Sequence, residues 1–266
     1  MGREWNKVRR RRQAKKKLAE LMSKSDQVIV IHYSCESFYD RPDGSSPRIT
    51  SIAVRNLEAG QTTSFSIHQV AERKGFSAID LEDHYNQLER LMLDEFYDYV
   101  RRHSAHSWLH WNMKNINYGF PAIAHRYQVL QGTPENFNDS KLINLSGLLI
   151  DIYGVRYIPH PRLQNLIEKN HIGHRDLLDG KSEAEAFVDK QYVKLHQSTL
   201  RKVDIFANII ERAADGSLKT NASWKDTYGS YPAAVAELIK ENILISSIVG
   251  VIGFISAIVT IATVIK

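Results

Sequence analysis

The feature that most constrains this chain is ILISSIVGVIGFISAIVTIATVI, Ile243 to Ile265, which runs for 23 residues without a charged side chain and is followed by Lys266. A helix of that length rises about 34 Å, enough to cross a bilayer core of roughly 30 Å with some tilt. An all-apolar helix in a water-soluble protein needs protein on every side, and these residues stand last in the sequence. The expectation is a single-pass C-terminal membrane anchor. At the other end the basic stretch continues into QAKKKLAELMSKSD rather than into an apolar core, so it does not read as a signal peptide. The Lys/Arg excess there places the soluble part on the cytoplasmic side. Ser246 and Gly250 are four residues apart, as are Gly253 and Ala257. Small residues at that spacing let helix backbones approach closely, so self-association through the membrane helix is expected.

Charge is distributed unevenly. Residues 1–24 hold ten Lys/Arg against Glu4 and Glu20, a net of +8, whereas the whole chain carries +5. The rest is therefore mildly acidic, and an anionic partner is expected at the N-terminal arm: membrane lipid, or DNA or RNA. Cys35 is the one cysteine, which excludes an intrachain disulfide framework. The Gly180–Lys181–Ser182 triplet lacks the upstream glycine of a P-loop, because Arg175 stands there.

Between the two ends the pattern is that of a mixed α/β domain. Gln27 to Ser34, Arg48 to Leu57 and Gln61 to His68 read as three antiparallel strands joined at DRPDGSSP and EAG. After Asp80, apolar residues recur at helical spacing from Leu81 to Val100. HSWLHWN reads as a fourth strand, YGFPAIAHRYQVLQG as a helix and Lys141 to Leu145 as a fifth strand. Pro161 to Asn170 and Ser182 to Ala213 read as later helices. The expected organisation is a basic arm over 1–24, a folded domain over 25–213, a linker over 214–242 and a membrane helix over 243–265.

The first strand ends unusually. In IHYSCE, alternation puts His32, Ser34 and Glu36 on one face. With three antiparallel strands followed by two strands reached through helical crossovers, this layout resembles the ribonuclease H-like fold, and within it the DEDD-type 3′–5′ exonucleases. That family ends its first strand in Asp-x-Glu, matched in position by Ser34, Cys35 and Glu36. Its second motif, His-Asn followed by Asp after the fourth strand, is similar to WLHWNMKNINYGF, with His110 and Asn112. Its last motif, a Tyr or His followed by Asp on the final helix, is similar to Tyr192 or His196, with Asp204 as the nearest acid beyond.

The resemblance implies a site made of His32, Ser34, Glu36, His110, Asn112, His196 and Asp204. If catalytic, it implies Mg²⁺ or Mn²⁺ held by Glu36 with Asp204 or Asp151. Of the four acids expected, Glu36 alone stands at its motif position. Two hard cations need several carboxylates, so the domain is expected to bind nucleic acid or cleave it slowly. The alternative is a noncatalytic sensor or effector acting through its membrane helix, an architecture like that of bacterial defence effectors. Arg126, Tyr127, Arg201 and Lys202 are candidate phosphate contacts.

Overall fold

The computed structural model describes residues 3–36, 46–76, 81–115, 117–223, 226–227 and 247. Apart from Ser247, the expected membrane segment lies outside the described residues, as does most of the expected linker. Among the described residues, no helix is long and apolar enough to cross a membrane.

The fold is α/β, built on a five-stranded mixed sheet. Helix α1 (Arg3–Met22) leads to β1 (Val28–Cys35), β2 (Ile49–Asn56) and β3 (Thr62–Ser66), which pair antiparallel. Helices α2 (Ile67–Lys74) and α3 (Tyr85–Arg102) then lead to β4 (Ser107–His110), which lies parallel beside β1. After α4 (Phe120–Val129), the short β5 (Leu142–Asn144) lies parallel beside β4, so the strand order is β3-β2-β1-β4-β5. The chain ends its described course with α5 (Leu145–Tyr153), α6 (Arg162–Lys169), α7 (Gly180–Val188) and α8 (Tyr192–Asp215).

The chain divides into two compact units. The larger, residues 17–149 and 160–219, holds the sheet. Seven of the eight β1 residues are buried, so both faces of the central strand are covered. On one face Ile29, Ile31 and Tyr33 join Ile52 and Val54 of β2 and Leu88, Met92 and Phe96 of α3 in the main core. Across the other face lies α8. The smaller unit comprises 1–16, 150–159 and 220–266. Within it the Asn221 N–H donates to the Tyr157 carbonyl at 2.7 Å, and Arg156 pairs with Asp226 at 2.6 Å.

Two element boundaries differ from the expectation. The third strand stops at Ser66, and Ile67 opens α2, which closes on Gly75 at φ +75°. The stretch Ser182 to Ala213 is two helices, because Lys190 takes φ +57° between α7 and α8. A left-handed lysine strains the backbone. Lys190→Gly should therefore raise the unfolding free energy by about 0.5–1 kcal/mol, less the flexibility glycine adds to the unfolded chain; a denaturant midpoint that falls instead would refute this.

The N-terminal arm forms a regular helix, α1. Val8, Arg11, Ala14, Leu18 and Leu21 are buried along one stripe of α1, while Arg9, Arg10, Arg12, Lys15 and Lys16 are exposed. Arg11 thus lies within the buried stripe of the helix, while most of its neighbouring cations face solvent.

Candidate functional site

The face of the sheet beneath α8 is where polar groups gather. Ser34 and Ser51 pair across β1 and β2, as do His32 and Ala53. Ser34, Ser51, Ser198 and Thr199 are each at most 1% exposed, and His32 is 6% exposed. Ser51 Oγ and Thr199 Oγ1 are 2.8 Å apart, and Thr199 donates its hydrogen to the Leu195 carbonyl at 2.9 Å. Ser51 is therefore the donor between the two hydroxyls. His32 meets the edge of Phe206 with ring centres 5.6 Å apart. Its Nδ1 lies 3.3 Å from the Tyr118 hydroxyl. His32 Nε2 and Ser34 Oγ are buried and make no hydrogen bond.

One buried ion pair closes this face. Lys202 Nζ reaches Glu183 Oε1 of α7 at 2.7 Å, with 9% and 7% of the two side chains exposed. Ser198 donates to the same carboxylate oxygen at 3.1 Å and accepts the Leu178 N–H at 3.0 Å. Burial, helped by the Lys202 charge, drives His32 well below the ordinary histidine range. At neutral pH the imidazole is uncharged.

Tyr118 arrives through a tight return of the chain. Gly119 sits at φ +141°, and a Cβ there would stand 2.2 Å from the Met113 carbonyl. Only glycine fits that approach. Its N–H donates to the Tyr33 hydroxyl at 2.9 Å, and the Tyr118 ring stacks on Tyr33 with centres 4.7 Å apart.

Glu36, the acid that the strand-end comparison retains, is held by Arg48. Its backbone N–H donates to the Arg48 carbonyl at 2.8 Å, and its carboxylate lies 3.4 Å from Arg48 Nε. The guanidinium also reaches Glu82 at 3.4 Å and lies 4.5 Å over the Tyr85 ring. Tyr192 donates to Glu82.

The remaining expected residues are dispersed. His110 is in register with Ile31, not with His32, so alternation puts it on the opposite face of the sheet. There it meets Phe120 at 5.3 Å, its Nδ1 accepts the Met113 N–H at 3.0 Å, and burial lowers it to about 3. The expected entry of His110 into the pocket beside His32 is thereby corrected. Asn112, at φ +55°, exchanges two hydrogen bonds with the Asn144 side chain at 3.1 and 3.0 Å, tying the ends of β4 and β5 together. His196 lies against His68 of α2. Asp204 is 42% exposed and pairs with Arg55 at 3.2 Å. Asp151 belongs to the smaller unit, where burial raises its carboxyl despite Arg10.

Of the expected constellation, His32 and Ser34 are thus brought together. The phosphate candidates are engaged internally: Arg126 with Glu89, Lys202 with Glu183, Tyr127 with Asp94, and Arg201 Nε with the Arg175 carbonyl at 3.0 Å. Thr199, Ser51, Glu183 and Tyr118 were not singled out from sequence. Thr199 and Lys202, three apart on a helix whose neighbours are apolar, gave the usable signal: polar side chains sharing one face.

The donor set on this face does not suit Mg²⁺ or Mn²⁺. Those ions take anionic oxygen, whereas β1 offers a serine and a neutral imidazole, Glu183 already answers Lys202, and Asp204 answers Arg55. Among the described residues, no group of three or more His, Cys, Asp and Glu side chains is placed to hold a metal ion. No protein-family model, no curated protein and no solved structure matches this chain.

Proposed function

We propose that this chain is a membrane-anchored protein with its domain in the cytoplasm, and that the domain is a ribonuclease H-like module that binds nucleic acid without cleaving it. The observation that carries the reading is the Lys202–Glu183 pair on the polar face at β1. An internal ammonium beside His32, and a carboxylate committed to it, leave this face, among the described residues, without a free acid of the kind that the exonuclease resemblance requires for metal binding. The strand order β3-β2-β1-β4-β5, with β4 and β5 parallel to β1, supports the ribonuclease H-like part. The exposed cations of α1 support a polyanionic partner. The uncharged run Ile243 to Ile265 supports the anchor and favours a second reading, a noncatalytic effector that works through that helix.

The test uses the full chain in detergent micelles with end-labelled single-stranded DNA and RNA and Mg²⁺ or Mn²⁺. Oligonucleotides should be retained at low salt and keep their length. Each phosphate contact to a single strand contributes roughly 0.7 to the slope of log affinity against log salt. Changing Arg9, Arg12 and Lys16 to Gln should then flatten that slope by about 2. Metal-dependent shortening by the wild type beyond that of Glu36→Gln would overturn the noncatalytic reading. Binding to anionic vesicles but not to oligonucleotides would assign the arm to lipid and leave the effector reading.

A further inference from the structure

Helices α2 and α8 meet at two imidazoles. His68 lies in the first turn of α2 and His196 in the second turn of α8, with ring centres 5.0 Å apart and planes inclined by 54°. His196 is 6% exposed and His68 is partly buried. The inner nitrogens, Nδ1 of His68 and Nε2 of His196, are buried and make no hydrogen bond, either to each other or to any other group. Leaving such atoms unsatisfied costs about 1–3 kcal/mol each.

A neutral ring nitrogen in that position has a lone pair to offer to a proton or to a metal ion. The proton is disfavoured. Burial lowers both rings, His196 to about 4, where the charge of His68 would oppose it further. A divalent cation accepts both lone pairs at once. An ion bound tetrahedrally by two ring nitrogens at about 2.0–2.1 Å holds the ring centres roughly 5 Å apart, the separation seen here. Glu72, one turn along α2 from His68, favours positive charge at that ring.

We propose that His68 and His196 bind a first-row divalent cation through these two nitrogens, with Zn²⁺ as the expected ion. Imidazole suits Zn²⁺, Ni²⁺ and Cu²⁺, not the hard cations of a phosphodiester-cleaving site. Among the described residues no third His, Cys, Asp or Glu completes a metal cluster, so water would have to supply the other coordination positions. The ion would bridge α2 to α8, which covers the polar face, and its existence does not depend on the nucleic-acid reading.

Zn²⁺ is titrated into the full chain in metal-free buffer, with uptake followed by competition with a chromophoric chelator. The wild type should take up one ion per chain. His68→Gln and His196→Gln should each weaken uptake at least about tenfold. His103 and His106 form another ring pair, with centres 4.9 Å apart. His103→Gln with His106→Gln, and separately Cys35→Ser, should leave the affinity within about twofold. If His196→Gln fails to fold, His68→Gln at the partly exposed partner decides the matter. No saturable uptake by wild type, undiminished uptake in His68→Gln, or uptake lost in the His103/His106 variant would each overturn the assignment.

Discussion

Replacing Arg126 with methionine is expected to lower the unfolding free energy by about 3–5 kcal/mol, measured by denaturant unfolding. Glu89 is fully buried in the second turn of α3. Its Oε1 accepts the Ile49 N–H at 2.7 Å and Arg126 Nε at 3.0 Å, and its Oε2 accepts Arg126 Nη2 at 2.7 Å. That same Nη2 donates to Asn86 at 2.8 Å. Burial still raises the Glu89 carboxyl, while Arg126 and the Ile49 N–H pull it back. Without the guanidinium, the carboxylate is left charged in the core or must take up a proton. The double variant Glu89→Gln with Arg126→Met removes both charges and keeps an acceptor for Ile49, so it should be more stable than Arg126→Met alone. A loss below about 1 kcal/mol in the single variant would place this pair with surface ion pairs and refute the argument.

That pair also bears on the candidate site. Ile49 opens β2, next to the Arg48 that holds Glu36, and the register slips between Ser34 and Cys35 where β2 pairs with the end of β1. The Thr50 hydroxyl donates to the Ser34 carbonyl at 3.1 Å across that irregularity. Arg126 therefore acts through Glu89 on the strand ends that carry Ser34 and Glu36. It does so from the far side of the sheet, not by touching a ligand.

The strands were legible because alternation and turn residues are local. β1 through β3 fall within a residue or two of their expected limits, and β4 and β5 lie inside their expected segments. What failed was local too. TSFSIH alternates like a strand, but Ser66 and Gln69 stand three apart, a helix-start spacing, and Gly75 marks the end of α2. The break at Lys190 carries no glycine or proline, so nothing short of tertiary packing announces it. The face on which His110 lies was illegible for a different reason. It depends on the parallel register of β4 against β1, set by crossovers of many residues, and a shift of one residue reverses it. Glu89 was readable in principle, since it falls inside the apolar arc of Tyr85, Leu88, Met92 and Phe96. A carboxylate there needs a buried cation, but sequence alone does not name Arg126.

Lowering the pH from 6.5 to 5 is expected to remove about 1.7 kcal/mol of stability through His110, whose folded value is lowered to about 3, and to remove more in the same direction through His32. Both are buried on opposite faces of the sheet. Burial first, then the charges of Lys202 for His32 and Lys114 for His110, lowers both below the ordinary value of 6.5. The sign follows from proton uptake. Between 6.5 and the lowered folded values, the unfolded chain binds protons that the folded chain refuses, so stability is complete above about 6.5 and is lost as the pH falls. The His110 share alone is a sizeable part of the roughly 5–15 kcal/mol typical of a domain. Asn supplies an acceptor near the position of each Nδ1 without titrating, so His110→Asn should flatten the slope by up to about 1.4 kcal/mol per unit, and His32→Asn should flatten it in the same direction. The comparison stays above pH 5, because carboxylates add their own dependence below it. A wild-type stability that is level from pH 7 to 5 would mean that neither imidazole is held neutral. For His32 a charge would arise beside Lys202, and the Glu183 carboxylate is already bound to the lysine. Protonation there should loosen α8 from β1 before the rest of the sheet unfolds, and amide exchange along α8 at pH 5.5, compared with pH 7.5, would register it first.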